Sequence, residues 1–408
     1  MIPPVIFDKS ALRLLGPVEI EELTYCFDFV CVPTLIREII SGLRKPPTGQ
    51  DKDPAHMVRV LASRMSQMHL STPMSFRRMA IGNLHGAPVP MNGITVPVDA
   101  SASKNVHASA DHRILVYEAT QEQELWKRWA RGDYSTDDES VAQAWRDGLD
   151  RVSMKAVGAR WRVFIDEHIG RTSDVEEIVT KVDRLLARRD AALQTRLLAI
   201  LIAFLRGDVR DGIPFAIAYG ADARVTLAAL APYSASILRL YLTFLACIAY
   251  NLVRLLPSNY VDLQYLFYAP FCMGFASNDN LHKRLWPAAS GPAIFIDGLR
   301  LKDDLAKRAA WRAALSEAER DAHHETHSYY PVEIDGSIVG EVWAKSMKPR
   351  HEIVQRLKER PSLEEVEAEI GPKLRRMIDE MNALKAKKPA DAGEWPLGPR
   401  PGTERPEP

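Results

Sequence analysis

The chain has 408 residues, of which 46% are apolar and 26% charged, so it is long enough for several domains with a real core and is neither fibrous nor low-complexity. Basic and acidic residues are equal at 53 each, so no global field favours nucleic acid or an anionic membrane, and any such contact must be local. The four cysteines, Cys26, Cys31, Cys247 and Cys272, form no C-x-x-C pair; this argues against a zinc ribbon and for buried thiols in a reducing, cytoplasmic setting.

The first 48 residues read as strand, helix, strand, helix. Val5-Ile6-Phe7 is a short apolar strand ending at Asp8, and a helix opens at Ser10 and continues towards Thr24. Tyr25 to Val32 is aromatic and β-branched, and Pro33 ends that strand by occupying the first turn of a helix over Thr34 to Leu43. No basic flank precedes a long apolar core here, so secretion is not expected.

Residues 49–232 carry helical patterning near 54–68, 73–84, 112–131, 138–150, 174–189 and 190–206, and are expected to form a mostly helical insertion. Ser173 with Glu176 has the form of a capping box. Gly86 to Ser103, rich in Pro and Gly, reads as loop or short strand. Trp126-Lys127-Arg128-Trp129, Trp145-Arg146 and Arg160-Trp161-Arg162 mix aromatic and basic residues. They read first as amphipathic helices with Trp inside and Arg outside, and second as an RNA-facing surface.

Residues 233–298 regain α/β character. Leu240 to Val253 is apolar but too short for a membrane span, and suits a buried helix. After Pro257-Ser258-Asn259 come a short helix from Tyr260, a buried strand over Phe271 to Ala276, and a short helix at Leu281 to Leu285. Pro292 to Ile296 is a further strand. Residues 299–386 are expected to form an α+β region, with Asp335-Gly336 as a hairpin turn and Ser362 with Glu365 as a helix start; 387–408 are expected to be disordered. His323-His324-Glu325-Thr326-His327 lacks a recognisable third zinc ligand. No Walker sequence, dinucleotide fingerprint or G-x-S-x-G elbow is present, so nucleotide and serine-hydrolase chemistries are not expected.

What stands out is where the acids fall. Asp8 ends the first strand, with Ser10 two residues on. Glu38 lies on the Pro33-led helix, Asp262 opens a later helix, and Asp279 follows the next strand in Ser277-Asn278-Asp279. That order resembles the PIN domain, a family of metal-dependent ribonucleases. The resemblance covers residues 1–48 and 233–298. It implies a three-layer α/β/α parallel sheet, with Asp8, Glu38, Asp262 and Asp279 as catalytic ligands of Mg²⁺ or Mn²⁺ and Ser10 and Asn278 supporting them. It also implies a phosphodiester hydrolase acting on nucleic acid, RNA first, with a protein partner or inhibitor as a further possibility. Mg²⁺ and Mn²⁺ prefer oxygen donors and keep several waters, which suits converging carboxylates without a closed cage. The alternative is a catalytically inactive PIN-like scaffold that binds protein or nucleic acid.

Overall fold

The computed structural model describes residues 2–45, 53–68, 70–98, 106–108, 115–117, 121–212, 225–327 and 330–346, and residue 372. Strand β1 is Pro4–Phe7, and the chain turns at Asp8 into helix α1, Lys9–Leu14. Gly16-Pro17 breaks the expected single helix, and a second helix, α2, runs over Pro17–Cys26, since proline cannot continue α1 but suits a first turn. Helix therefore claims Tyr25 and Cys26, and strand β2 is only Asp28–Val30. Helix α3 is Pro33–Ile40, as the proline signal indicated.

The next segment is helical, as expected, with two exceptions. After α4 (Pro54–Met65), Leu70–Ser71 forms a two-residue strand, β3, that pairs in parallel with β2. A hairpin of β4 (Val106–Ala108) and β5 (Leu115–Tyr117) stands where a helix start was expected. The helices are α5 (Phe76–Leu84), α6 (Gln121–Ala130), α7 (Thr136–Asp150), α8 (Met154–His168), α9 (Val175–Ala187) and α10 (Ala191–Leu205). The cap of α9 is Asp174, whose side chain accepts from the Glu176 amide, and not Ser173. Trp126 and Trp129 are fully buried, which fits the amphipathic reading of their helix.

Helix α11 is Leu227–Leu230 and α12 is Pro232–Ala249. The latter is long and apolar enough to cross a membrane, yet 89% of it is buried in the protein. Asn83 Oδ1 accepts from the amides of Tyr233 and Ser234, which satisfies the helix's orphan donors and ties α12 to α5. There follow α13 (Asn259–Leu266), strand β6 (Gly274–Ser277), α14 (Asn280–Leu285), β7 (Ile294–Asp297), α15 (Gly298–Ala314), α16 (Glu317–His327) and α17 (Ile338–Ser346). The expected hairpin at Asp335-Gly336 is a turn, with Gly336 at φ +68°, that leads into α17 instead of a strand. Ile338, Val339 and Val342 point inward at helical spacing, and Trp343 Nε1 donates to the Cys26 carbonyl. The helix start at Ser362 and the 387–408 tail lie outside the described residues.

All five strands of the main sheet run parallel, in the order β3-β2-β1-β6-β7. Val5, Ile6 and Phe7 of β1 and Phe275 and Ala276 of β6 are completely buried, so helices cover both faces, as parallel sheets require. Each of the larger of these side chains, Val5, Ile6, Phe7 and Phe275, contributes about 1.5–3 kcal/mol by leaving water. The architecture is α/β, consistent with three layers. The chain moves outward from β1 through β2 to β3, then crosses back to β6 and on to β7. The switch point therefore lies between β1 and β6, where an open α/β sheet offers a crevice beyond its strand ends.

The loop before β4 is anchored under this sheet. Gly93 has φ +78° and its amide donates to the Pro270 carbonyl; a Cβ there would lie 2.6 Å from Met273 Sδ and 3.0 Å from the Cys272 carbonyl. Gly93→Ala is expected to cost about 2–3 kcal/mol, from left-handed backbone strain and overpacking. Urea unfolding at equilibrium measures it.

Candidate functional site

Two of the acids sit at that switch point. The Asp8 amide still donates to the Ala276 carbonyl, so Asp8 is held at the very end of β1 beside β6. Its side chain turns back to cap α1, accepting from the Ala11 amide at 2.7 Å. Ser10 Oγ lies 2.8 Å from both Asp8 carboxylate oxygens, and Ser277 Oγ donates to Oδ2 at 2.8 Å. On the β6 side, Asp279 caps α14 through the Leu281 amide, and its own amide donates to Ser277 Oγ. Ser10 and Ser277 thus stitch the two strand ends together, Ser10 also accepting from the Asn278 amide.

His282 completes this knot. It is fully buried, with Nδ1 3.2 Å from Asp8 Oδ2 and 2.8 Å from Ser277 Oγ, and Nε2 2.8 Å from the Asp262 carbonyl oxygen. Nε2 faces a carbonyl that can only accept, and Nδ1 lies beside the Asp8 carboxylate and a Ser277 hydroxyl that itself donates to Asp8, an arrangement that favours protons on both ring nitrogens, an imidazolium. Burial works against that charge, but the hydrogen bond and charge of Asp8 outweigh it and push the pKa of His282 up to about 9. Burial likewise opposes ionisation of Asp8, and His282, the Ala11 amide and Ser277 reverse it, leaving Asp8 below the usual range.

Glu38 and Asp262 approach from α3 and α13. Tyr265 donates to Glu38 Oε2 at 2.6 Å, and Lys9 Nζ donates to the Glu38 carbonyl while lying 3.7 Å from Oε1. The Asp262 carboxyl is partly buried and hydrogen-bonded by none of the described residues. Burial pushes its pKa up to about 8; His282 opposes this, while the negative charges of Glu38, Asp279 and Asp8 add to it. Four carboxyls drawn from separate stretches of sequence therefore share one electrostatic environment.

All four expected acids are thus brought to one edge of the sheet. Of the two expected supporters, Ser10 touches the Asp8 carboxylate through its hydroxyl, whereas Asn278 meets the Ser10 hydroxyl through its backbone amide. Sequence reasoning missed Ser277, His282, Tyr265 and Lys9. His282 did carry a signal: three residues after a helix cap, it lies one turn along α14 from Asp279.

The donors suit a hard cation in kind, being oxygens only. Among the described residues, no three His, Cys, Asp or Glu side chains close on one point tightly enough to cage a metal ion. Mg²⁺ does not need such a cage: it keeps most of its waters and is held by one or two carboxylates plus substrate phosphate. Asp262, the carboxyl without a partner, fits a direct ligand, and Asp279 and Glu38 fit partners through water. Among protein-family models, curated proteins and solved structures, nothing matches this chain.

Proposed function

We propose that this chain is a divalent-cation-dependent phosphodiester hydrolase with a PIN-like sheet, acting on nucleic acid and on RNA first. The observation that carries this reading is the assembly of Asp8, Glu38, Asp262 and Asp279 at the switch point of a parallel sheet, from positions as far apart as 8 and 279. Asp262 would hold the cation directly, and the others would tune the site through water. When bound, the cation would offset charge on the scissile phosphate. The chain's residues would do the rest. Asp8, locked by Ser10, Ser277 and His282, fixes the spacing of the β1 and β6 ends. Asp262, with a pKa of about 8, can take or give a proton near neutral pH. Lys9, whose Nζ donates to the Glu38 carbonyl beside Oε1, would hold Glu38 in place and offset its charge.

The alternative is a PIN-like scaffold that binds without cleaving. It is favoured by two internal pairings, Asp8 with His282 and Glu38 with Lys9, which neutralise acids without any metal. Incubating end-labelled single-stranded RNA and DNA with the purified chain and an excess of Mn²⁺ or Mg²⁺ separates the two. A hydrolase cleaves in Mn²⁺, stops in EDTA, and loses cleavage in Asp262→Asn. Absence of cleavage in both metals, with the folded state intact, leaves the scaffold.

A further inference from the structure

Beside the acids lie three cations, Arg13, Lys45 and Arg146, for which the described residues supply no carboxylate partner. They surround Lys9, which is itself paired with Glu38: Arg13 follows it by one turn of α1, and the like charge of Lys45 and Arg146 also reaches it. Arg13 and Lys45 are exposed, and neither forms an ion pair among the described residues. Arg146 comes from α7, which packs along α3 and the 3₁₀ turn of Ser41–Arg44. An ion pair between Arg44 and Glu139 at 2.9 Å fixes that contact. Arg146 Nε is buried with no acceptor, and the preceding Trp145 lies under the Arg37 guanidinium, 6.0 Å from ring centroid to Cζ.

Among the described residues, no acid of α7, Asp137 and Asp150 included, forms an ion pair with this group. Glu139 is taken by Arg44, Asp138 by Arg128, and Asp147 accepts from Gln143. The chain carries no net charge, so unpaired cations gathered at one rim are a local feature. Their position matters because a cleft of carboxylates repels a polyanion. A strand that is to reach the cleft needs nearby cations that are not already consumed, each taking a phosphate in turn.

We propose that Arg13, Lys45 and Arg146, gathered about Lys9, form a phosphate rail that leads a nucleic-acid strand to the acidic cleft, with α7 of the helical insertion supplying one side. This rests on the phosphodiester-hydrolase reading but concerns a different step, capture of the strand. The insertion is thereby part of the substrate surface and not only a covering of the sheet.

The test separates capture from cleavage. Fluorescence anisotropy of a labelled single-stranded RNA is measured in EDTA, across a salt series, for the wild type and for Arg13→Ala/Lys45→Ala/Arg146→Ala. The triple variant is expected to bind at least about tenfold more weakly, and the slope of log K against log salt to fall by about 2, near 0.7 per lost contact. Lys181→Ala/Arg210→Ala, which removes cations already paired with Glu177 and Asp208, is expected to change neither. Circular dichroism and melting temperature confirm that both variants fold. Loss of capture in the triple variant supports the rail even if the wild type cleaves nothing in Mn²⁺, which would defeat the hydrolase reading alone. Binding unchanged in the triple variant overturns the rail while leaving the hydrolase reading standing. No wild-type binding to RNA, or residue-dependent binding to phosphatidylglycerol vesicles with none to RNA, also overturns it.

Discussion

Replacing His282 with alanine is expected to destabilise the fold by about 3–5 kcal/mol, the usual cost of stranding one partner of a buried ion pair. Asp8 is 3% exposed and His282 0%, so neither charge can turn to solvent when the other is removed. The variant also frees Ser277 Oγ and the Asp262 carbonyl from a common partner and removes the one cation that offsets the raised proton affinity of Asp262. The pH dependence should carry the same signature. The His282 pKa rises from its ordinary 6.5 to about 9, so its stabilisation is complete below about pH 6.5 and is lost as pH climbs through 9. Asp262 acts in the same direction over its own window. Raised from 3.8 to about 8, it binds a proton in the native state that the unfolded chain has released, so stability falls as pH rises from about 4 to 8. Asp8, held low, works only at the acid end, where its stabilisation is lost as pH falls below its ordinary 3.8. Melting temperature should therefore decline from pH 6.5 to 9 in the wild type, with the part due to His282 absent in His282→Ala. A variant with wild-type stability at pH 6.5 would show that no buried imidazolium holds Asp8.

The second large effect has opposite signs for stability and for activity. Asp262→Asn is expected to stabilise the chain at pH 9 by something on the order of 2 kcal/mol, well below the full pKa shift because the carboxyl is partly solvated. At that pH the wild-type carboxylate must ionise against Glu38, Asp279 and Asp8, and an amide need not. The same change should reduce Mn²⁺-dependent cleavage by at least about 100-fold, the upper end of what even supporting groups of a metal site contribute. As pH falls towards 4, where the Asp262 carboxyl is protonated in the native state and becoming so in the unfolded chain, the stabilities should converge. Chemical denaturation at the two pH values, with a cleavage assay at pH 7.5, reads all three. Equal stability at pH 9 would mean the acids do not share a field. A residue retained at a cost to stability is the pattern of a functional site, where local rules are broken for chemistry.

Much of the sheet was legible because its strands are short, apolar and bounded by proline or acid. Val5-Ile6-Phe7 before Asp8, and Pro33 before α3, mark their own boundaries. Edge strand β3 was not legible: two residues, Leu70–Ser71, leave no alternation to detect, and only the exposed edge of β2 makes them a strand. Asp335-Gly336 misled because the turn is real while Ile338, Val339 and Val342 are buried along a helix, where packing against the core overrides their strand preference. At the site, the four acids could be read from their places at strand ends and helix starts. The neutralising groups could not. Lys9 and His282 act through pairings with Glu38 and Asp8 that span 29 and 274 residues, and Tyr265 reaches Glu38 across 227, separations that only the folded sheet specifies.

The most direct measurement is calorimetric titration of Mn²⁺ into the full chain at pH 7 in buffers of different ionisation enthalpy. If the four acids form one cation site with Asp262 as a direct ligand, binding at pH 7 displaces the proton held at its pKa of about 8. About one proton should be released per ion, falling to almost none at pH 9.5 and absent in Asp262→Asn. No Mn²⁺ binding at pH 7 or at pH 9.5, or binding that Asp262→Asn leaves unchanged in affinity and proton release, would show that the acids at the switch point are not a metal site.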